Sequence, residues 1–330
     1  MFVSFNTLFK NNCLISPQRL ALRYKNQVYS YKALNKRANQ FAYYLKSKGV
    51  EKGTLVSIIS ENYLERIIAI ISLWKLGAAY LPIDPNYPST RINFIINDSK
   101  VGFVIRDNET YKKVVLNATL TSILTDDENK DVRTFPTDDL LDFSEYNDIA
   151  YIAYTSGSTG NPKGIMITQG NISSIYHAWE QVYKLTYDDR HLQIANFGFD
   201  VCSGDIIRAL GSGAQLVICP PEFIAEPDKL YELLSRELIT IAEFTPIMLR
   251  KLISYLDYKG LNLHFMRLLI CGSDGWYLKE YKKFRSFLKP QARLINSYGT
   301  TEATIDSTYF EMEEENCQFD EQSFVPLGRP

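Results

Sequence analysis

The sequence predicts an α/β protein built as two βα layered subdomains, each a mostly parallel sheet flanked by helices. Three observations carry this. Short apolar runs alternate with stretches of helical periodicity along most of the chain, the pattern of a strand, a covering helix and a parallel strand. The 330 residues can bury one large core or two, and a first subdomain over 1–145 with a second over 146–330 is the economical division. The alternation is interrupted by a loop, residues 154–164, that is too polar for a core and too regular for a random turn.

Residues 1–30 read as an entry segment with a short hairpin around Lys25-Asn26. Over 31–48, Leu34, Ala38, Phe41, Ala42 and Leu45 fall on one helical face, and Gly49 stops the helix. A strand over 55–59 and a helix over 63–76, closed by Gly77, follow. Next come a strand over 78–83, the rigid turn Asp84-Pro85-Asn86-Tyr87-Pro88, a helix through Phe94 and Ile95, and a strand over 101–105. Residues 107–147 are charged and irregular, with 126–131 an exposed loop. Beyond the polar loop the pattern predicts helices over 172–185, 227–238, from Pro246, and 277–287. Strands are expected over 214–219, 240–244, 266–271 and 293–296.

Composition narrows the class of partner. A formal charge of −2 gives no reason to expect nucleic acid or an anionic membrane surface. The five cysteines are scattered with no C-x-x-C pair, so they read as reduced core or pocket residues of a cytoplasmic protein. The three histidines stand far apart, which argues against a zinc site. The N-terminus has no charged-then-apolar leader pattern, and no run reaches the ~18 apolar residues a membrane helix needs.

The polar loop carries the chemistry. Gly157, Gly160 and Gly164 let the backbone turn tightly and approach a ligand. Thr155, Ser156, Ser158 and Thr159 can donate to anionic oxygens, as successive loop N–H groups can. Lys163 adds a mobile positive charge, and together these residues describe a loop that holds a polyphosphate. It is not a Walker loop, which needs Gly before the lysine and Ser or Thr after it at the start of a helix. Here Pro162 precedes Lys163 and Gly164 follows. Proline has no N–H and disfavours α geometry at Asn161, so no helix N-terminus cradles phosphate at the lysine.

Nearly residue for residue, Tyr154-Thr155-Ser156-Gly157-Ser158-Thr159-Gly160-Asn161-Pro162-Lys163-Gly164 resembles the phosphate loop of the adenylate-forming enzymes. These are the acyl-CoA synthetases, the luciferases and the adenylation domains of nonribosomal peptide synthetases. Tyr31-Lys32-Ala33-Leu34-Asn35 is similar to their first core motif. Leu73-Trp74-Lys75-Leu76-Gly77-Ala78-Ala79-Tyr80-Leu81-Pro82-Ile83-Asp84-Pro85 resembles the second in its peptide-synthetase form. Asn296-Ser297-Tyr298-Gly299-Thr300-Thr301-Glu302 resembles the N-x-Y-G-P-T-E motif with Thr300 for the proline, and Gln169 stands where a histidine is frequent.

The resemblance implies ATP and Mg²⁺ as cofactors and a reaction that joins a carboxylate to AMP and expels pyrophosphate. Two anions must approach, so neutralisation and positioning supply most of the catalysis. By resemblance, the loop grips the β- and γ-phosphates, Thr301 bonds the α-phosphate, and Glu302 helps hold Mg²⁺, which prefers hard oxygen ligands. Tyr298, with Gly299 beside it, offers a flat face for adenine, Asn296 meets its amino edge, and Gly272-Ser273 forms the other wall. In amino-acid-activating members an aspartate matching Asp200 holds the substrate α-ammonium, and acyl-CoA synthetases and luciferases lack it. The competing role for Asp200 is a helix N-cap before Val201.

The family's pocket positions fall on Asp200, Val201, Gly204, Glu243, Leu269, Cys271, Ser297, Ile305 and Asp306. This resembles the sets associated with ornithine, with lysine the closest competitor. Gly204 leaves room for a long side chain. Glu243 and Asp306 without a cation would repel each other and lose hydration, and a substrate ammonium between them would relieve both costs. The alternative is that these acids face solvent or bind an arginine such as Arg293. Residues 325–330 resemble the opening of the next family segment. In the family the ribose-binding aspartate, the hinge, the small C-terminal domain and its lysine would follow, so the chain is expected to be either a fragment of a longer synthetase, with a phosphopantetheine carrier domain downstream, or a truncated product. By itself the chain is expected to adenylate poorly. Two other readings remain: a ligase that makes a CoA ester, and a non-catalytic module that binds ATP or an amino acid.

Overall fold

The first element is one that apolar periodicity hid. Helix α1 (Phe5–Ile15) is poor in helix formers, yet Ser4 caps it by accepting from the Thr7 N–H, and Phe5, Phe9 and Cys13 bury one face. The computed structural model describes residues 2–116, 120–125, 132–156, 162–312 and 320–330. The expected hairpin forms from β1 (Leu20–Tyr24) and β2 (Gln27–Ser30), with Lys25 left-handed at φ 52°. Ser30 then caps α2 (Tyr31–Ser47), which buries Leu34, Ala38, Phe41, Ala42 and Leu45 as the periodicity requires.

The next elements follow the expected alternation: β3 (Leu55–Ile59), α3 (Tyr63–Lys75), β4 (Ala79–Pro82), α4 (Ser89–Ser99) and β5 (Phe103–Arg106). Two short elements, α5 (Asn108–Lys113) and β6 (Thr121–Leu124), occupy a region expected to be irregular. The loop expected over 126–131 lies outside the described residues. The polar loop joins β7 (Ile149–Ser156) to β8 (Pro162–Thr168), and α6 (Gln169–Tyr183) follows. Strand β9 (Arg190–Gln193) escaped prediction because two of its four residues, His191 and Gln193, are polar and yet buried. Then come α7 (Asp200–Gly211), β10 (Gln215–Ile218), α8 (Pro227–Arg236), β11 (Ile241–Phe244) and α9 (Pro246–Lys259). The described chain closes with β12 (Leu268–Gly272), α10 (Leu278–Arg285), β13 (Arg293–Tyr298) and β14 (Thr308–Glu311).

Two sheets form, mostly parallel as expected. One has the order β14-β13-β12-β11-β9-β10-β1-β2 and the other β6-β5-β3-β4-β7-β8. The antiparallel pairs are β1–β2, β13–β14 and β7–β8, each at a sheet edge. The division at 145/146 is corrected by this topology. β1 pairs in parallel with β10, carrying early residues into the eight-stranded sheet, while β7 pairs with β4 and brings β8 into the six-stranded one. The reason is shared burial. One core cluster runs through Phe5, Tyr31, Trp74, Tyr80, Tyr151, Trp179 and Ile206, from both halves of the sequence. Its polar atoms pair across that seam: Trp74 Nε1 donates to Ala150 O at 3.0 Å, Tyr31 Oη to Ala214 O at 2.7 Å, and Tyr80 Oη meets Ser203 Oγ at 2.5 Å. Fully burying each large apolar side chain contributes on the order of 1.5–3 kcal/mol.

Among the described residues no helix is long and apolar enough to cross a membrane. Cys13, Cys202, Cys219 and Cys271 are free and buried, while Cys317 lies outside the described residues.

Candidate active site

The polar loop springs from a hairpin. Thr155 pairs with Lys163 and Ser156 with Pro162 across β7 and β8, so Lys163 stands on a strand and no helix begins at it. Pro162 opens an edge strand, where a missing N–H costs no ladder bond. Lys163 is exposed. Gly157, Ser158, Thr159 and Gly160 lie outside the described residues. Gly164 stands against Tyr154. A Cβ there would stand 3.0 Å from the Tyr154 ring, so the glycine makes room for the cross-strand tyrosine.

The Asn296–Glu302 motif helps shape a cavity of about 750 Å³. Gly299 admits a close backbone contact, since a Cβ there would sit 1.7 Å from Ile305 O. Beyond the 3₁₀ turn Thr301–Ala303, Thr304 and Ile305 are both left-handed, at φ 66° and 70°. Such backbone is rare for β-branched residues and costs on the order of 1–3 kcal/mol each. It turns Ile305 and Asp306 inward, where both line the cavity and are buried. Gly272 serves a similar purpose, because a Cβ would meet Ser297 Oγ at 2.4 Å.

Of the expected nucleotide residues, Ser273, Gly299 and Thr301 line this cavity. Tyr298 lies at the end of β13 with 43% of its surface exposed, leaving its ring open to a flat ligand. Asn296 does not line the cavity. Its Oδ1 accepts from Trp276 Nε1 at 2.8 Å and its Nδ2 donates to Pro326 O at 2.8 Å. A second lone pair on Oδ1 is what it retains for an amino group. Glu302 is exposed on its turn. Among the described residues, no group of three or more His, Cys, Asp or Glu side chains could hold a metal ion.

Of the expected substrate residues, Asp200, Val201, Glu243, Ser297, Ile305 and Asp306 line the cavity; Gly204, Leu269 and Cys271 do not. No residue of β12 lines the cavity, and Leu269 and Cys271 pack with residues of α9 and α10 such as Leu252 and Phe284. The room expected over Gly204 is filled. A Cβ there would meet Ile305 Cδ1 at 3.2 Å and the Trp179 ring at 3.3 Å.

Asp200 is the first residue of α7, and Phe199 occupies the cap position, so the N-cap alternative is excluded. One carboxylate oxygen is buried with no hydrogen-bond partner. Burial pushes the carboxyl up from its ordinary range, against the Thr301 hydroxyl and the Val201 N–H, which hold it down.

The deep acids are not alone, which corrects the expectation of an uncompensated pair. Arg208, buried on α7, places Nη2 at 2.7 Å from Asp205 Oδ1 and 2.8 Å from Glu243 Oε2. Its Nη1 lies 3.7 Å from Asp306 Oδ2. Asp306 also accepts from Trp179 Nε1 at 2.8 Å and from Tyr183 Oη at 3.3 Å. Burial pushes Glu243 up to about 8 and Asp205 up to about 6, in both cases against the pull of Arg208. Arg293, the partner considered from sequence, instead binds Glu311 at 2.5 Å.

Sequence reasoning missed Asp205 and Arg208. The available signal was their i, i+3 spacing, with Arg208 one turn beyond Gly204 on the face that begins at Asp200. It also missed Arg66, which lines the cavity with its guanidinium 4.4 Å from the Tyr63 ring centroid and 4.6 Å from that of Phe197.

Residues 9–330 match the model of a protein family described as AMP-binding enzyme. Bacitracin synthase 2 of Bacillus licheniformis is 35% identical over 327 residues, covering 99% of this chain and 12% of that protein. Gramicidin S synthase 2 of Brevibacillus brevis is also 35% identical over 327 residues, covering 99% of this chain and 7% of its own length. The chain therefore spans an eighth or less of these curated relatives. The crystal structure of the nonribosomal peptide synthetase FmoA3 in its AMPPNP-bound form superposes with a TM-score of 0.89 at 25% identity, covering 100% of this chain and 34% of that one.

Proposed function

The chain belongs to the AMP-binding enzyme family, and on that premise we propose that it activates an amino acid as its aminoacyl-AMP. The single observation that carries this reading is the buried, unpartnered oxygen of Asp200 in the cavity wall. A buried acceptor with no donor is costly, and a substrate α-ammonium supplies the missing donor together with the opposite charge. A CoA-ester-forming ligase for a simple carboxylic acid has no such group to offer. The similarity to peptide synthetases supports the same choice and suggests a phosphopantetheine carrier domain as the partner that takes the product.

In the reaction a substrate carboxylate oxygen attacks the α-phosphorus of ATP, and the bond to the pyrophosphate oxygen breaks. Asp200 orients the amino end, and the Thr301 hydroxyl, whose single proton goes to Asp200 in the substrate-free chain, turns to donate to the α-phosphate when ATP is bound. Lys163, Thr155 and Ser156 with the rest of their loop neutralise the departing pyrophosphate. Tyr298 stacks on adenine beside Gly272 and Ser273. Glu302, an exposed carboxylate, suits Mg²⁺, which is held by one or two carboxylates plus substrate phosphates and would neutralise charge there.

For the side chain we propose a cation, ornithine first and lysine second. The support is the excess of acid at the deep end: Asp205, Glu243 and Asp306 face one guanidinium, Arg208. The test is amino-acid-dependent pyrophosphate exchange by the full-length protein over ornithine, lysine, leucine and glutamate. Ornithine should rank first. If leucine exchanges as well, the cationic side chain is wrong and adenylation stands. If no amino acid supports exchange, the adenylation reading falls.

A further inference from the structure

Arg208 does not line the cavity, yet it governs what the cavity floor presents. Asp200, Gly204 and Arg208 follow one another at four-residue spacing along α7, so they share a face. Gly204 lies beside the guanidinium at ordinary van der Waals distance. A Cβ at 204 would stand 3.7 Å from Arg208 Cζ, which is 4.7 Å from the Trp179 ring centroid. The guanidinium reaches Asp205, Glu243 and Asp306, while Arg208 Nε and Nη1 are buried with no hydrogen-bond partner. Once Arg208 is counted, three carboxyls carry two formal negative charges in excess. A buried cluster of that kind discharges the excess by holding protons or by admitting a second cation.

We propose that Arg208 is a specificity-determining positioning residue: it holds Glu243 and Asp306 from behind and keeps the floor acidic, so that the site selects a side chain ending in an ammonium and takes it in place of a proton. The inference rests on the adenylation reading. Without Arg208, the carboxyls would hold further protons and the floor would become neutral. The groups that face Glu243 are Arg208 and Asp205 from α7, Asp306 from the turn after β13, Tyr183 from α6, Cys271 from β12 and Tyr309 from β14. His191 of β9 faces Arg208 from below and is held neutral by burial. Burial raises Glu243 to about 8, with Arg208 pulling it down and Asp306 and Asp205 pushing it up. Near neutral pH the acid therefore carries a proton that a substrate ammonium displaces into the buffer.

The experiment uses the full-length protein. Ornithine binding is measured by calorimetry at pH 7 in two buffers of different ionisation enthalpy, and pyrophosphate exchange is measured with ornithine and leucine. The expected results are release of about one proton on ornithine binding and its disappearance in Glu243→Gln. For Arg208→Met, KM for ornithine should rise about tenfold or more relative to leucine with a smaller change in kcat, and Arg208→Lys should recover part of the preference. Should Arg208→Met not fold, Glu243→Gln and Arg208→Lys still decide the matter. Ornithine binding without proton release overturns the inference, as does an unchanged ranking in the variants. Exchange with leucine as efficient as with ornithine overturns it while leaving adenylation intact, whereas exchange with no amino acid removes the adenylation reading beneath it.

Discussion

The two ends of the cavity use the same residue type in opposite ways. At one end Asp200 keeps a buried oxygen without a partner. At the other, Glu243 is bonded to Arg208 of the chain itself, and Asp306 lies 3.7 Å from the same guanidinium and accepts from Trp179 and Tyr183. An acid in a pocket thus implies a ligand cation only after the chain's own cations have been placed. At Asp200 that inference is direct. At the deep end it survives only as a remainder, because Asp205 adds a third carboxyl to the account.

The largest effect that could break this comparison is on stability. Arg208→Met leaves three carboxyls without their cation, and breaking a buried pair in this way costs about 3–5 kcal/mol. Asp200→Asn, which has no resident cation to lose and can keep accepting from the Thr301 hydroxyl and the Val201 N–H, should cost less than about 1 kcal/mol. Urea unfolding of both variants measures the difference, and equal losses would mean that the two ends are alike.

Next comes a control that should touch neither end. Lys163→Ala should lower turnover by about 10²–10³, with every amino acid reduced alike. A change in substrate ranking would place the lysine closer to the amino acid than its strand position suggests.

At the open end, Asp200→Asn removes one charge-assisted bond of about 1.5–3 kcal/mol, or roughly 10- to 150-fold in kcat/KM. The unmutated protein should reject a substrate analogue lacking the α-amino group by a similar factor, and the Asn variant should no longer reject it. Retained discrimination would mean that another group reads the amine.

Proton linkage offers a smaller and graded contrast. Glu243 at about 8 and Asp205 at about 6 lie above their ordinary values. The folded protein therefore binds more protons than the unfolded chain between the ordinary carboxyl range and about pH 8, and substrate-free stability should fall as pH rises through that window. Urea midpoints taken from pH 5 to 8 should show this slope, with Glu243→Gln flattening it. The smallest effect is at the surface. Arg293 and Glu311 are 31% and 35% exposed, so Glu311→Gln should change stability by about 0–1 kcal/mol and leave substrate ranking untouched.

Long periodic segments were legible from residues alone. The helix over 31–48 appears as α2 with its expected buried face, and the strand over 240–244 as β11. What stayed hidden was short, polar or joined by distant pairing. β9 has four residues, and its burial depends on lying between β10 and β11. α1 depends on Ser4 and on packing against α7 and α2. Cavity positions were legible where a motif carries them, as with Ser297, or where an acid follows an aromatic run, as with Asp200. Leu269 and Cys271 lie off the lining together with the rest of β12, because α9 and α10 cover them, which local pattern does not record.

By itself the sequence determined the strand and helix alternation, the polar, glycine-rich character of residues 154–164 and the aspartate that follows an aromatic run at 200, since each is a property of neighbouring residues and their spacing. Tertiary structure alone decided which sheet receives β1, β2, β7 and β8, and which cation meets Glu243 and Asp306. Those outcomes depend on contacts between residues far apart in the chain, such as Arg208 and Glu243 at a separation of 35. A local pattern records that a face is buried. It does not record what the fold brings to lie against it.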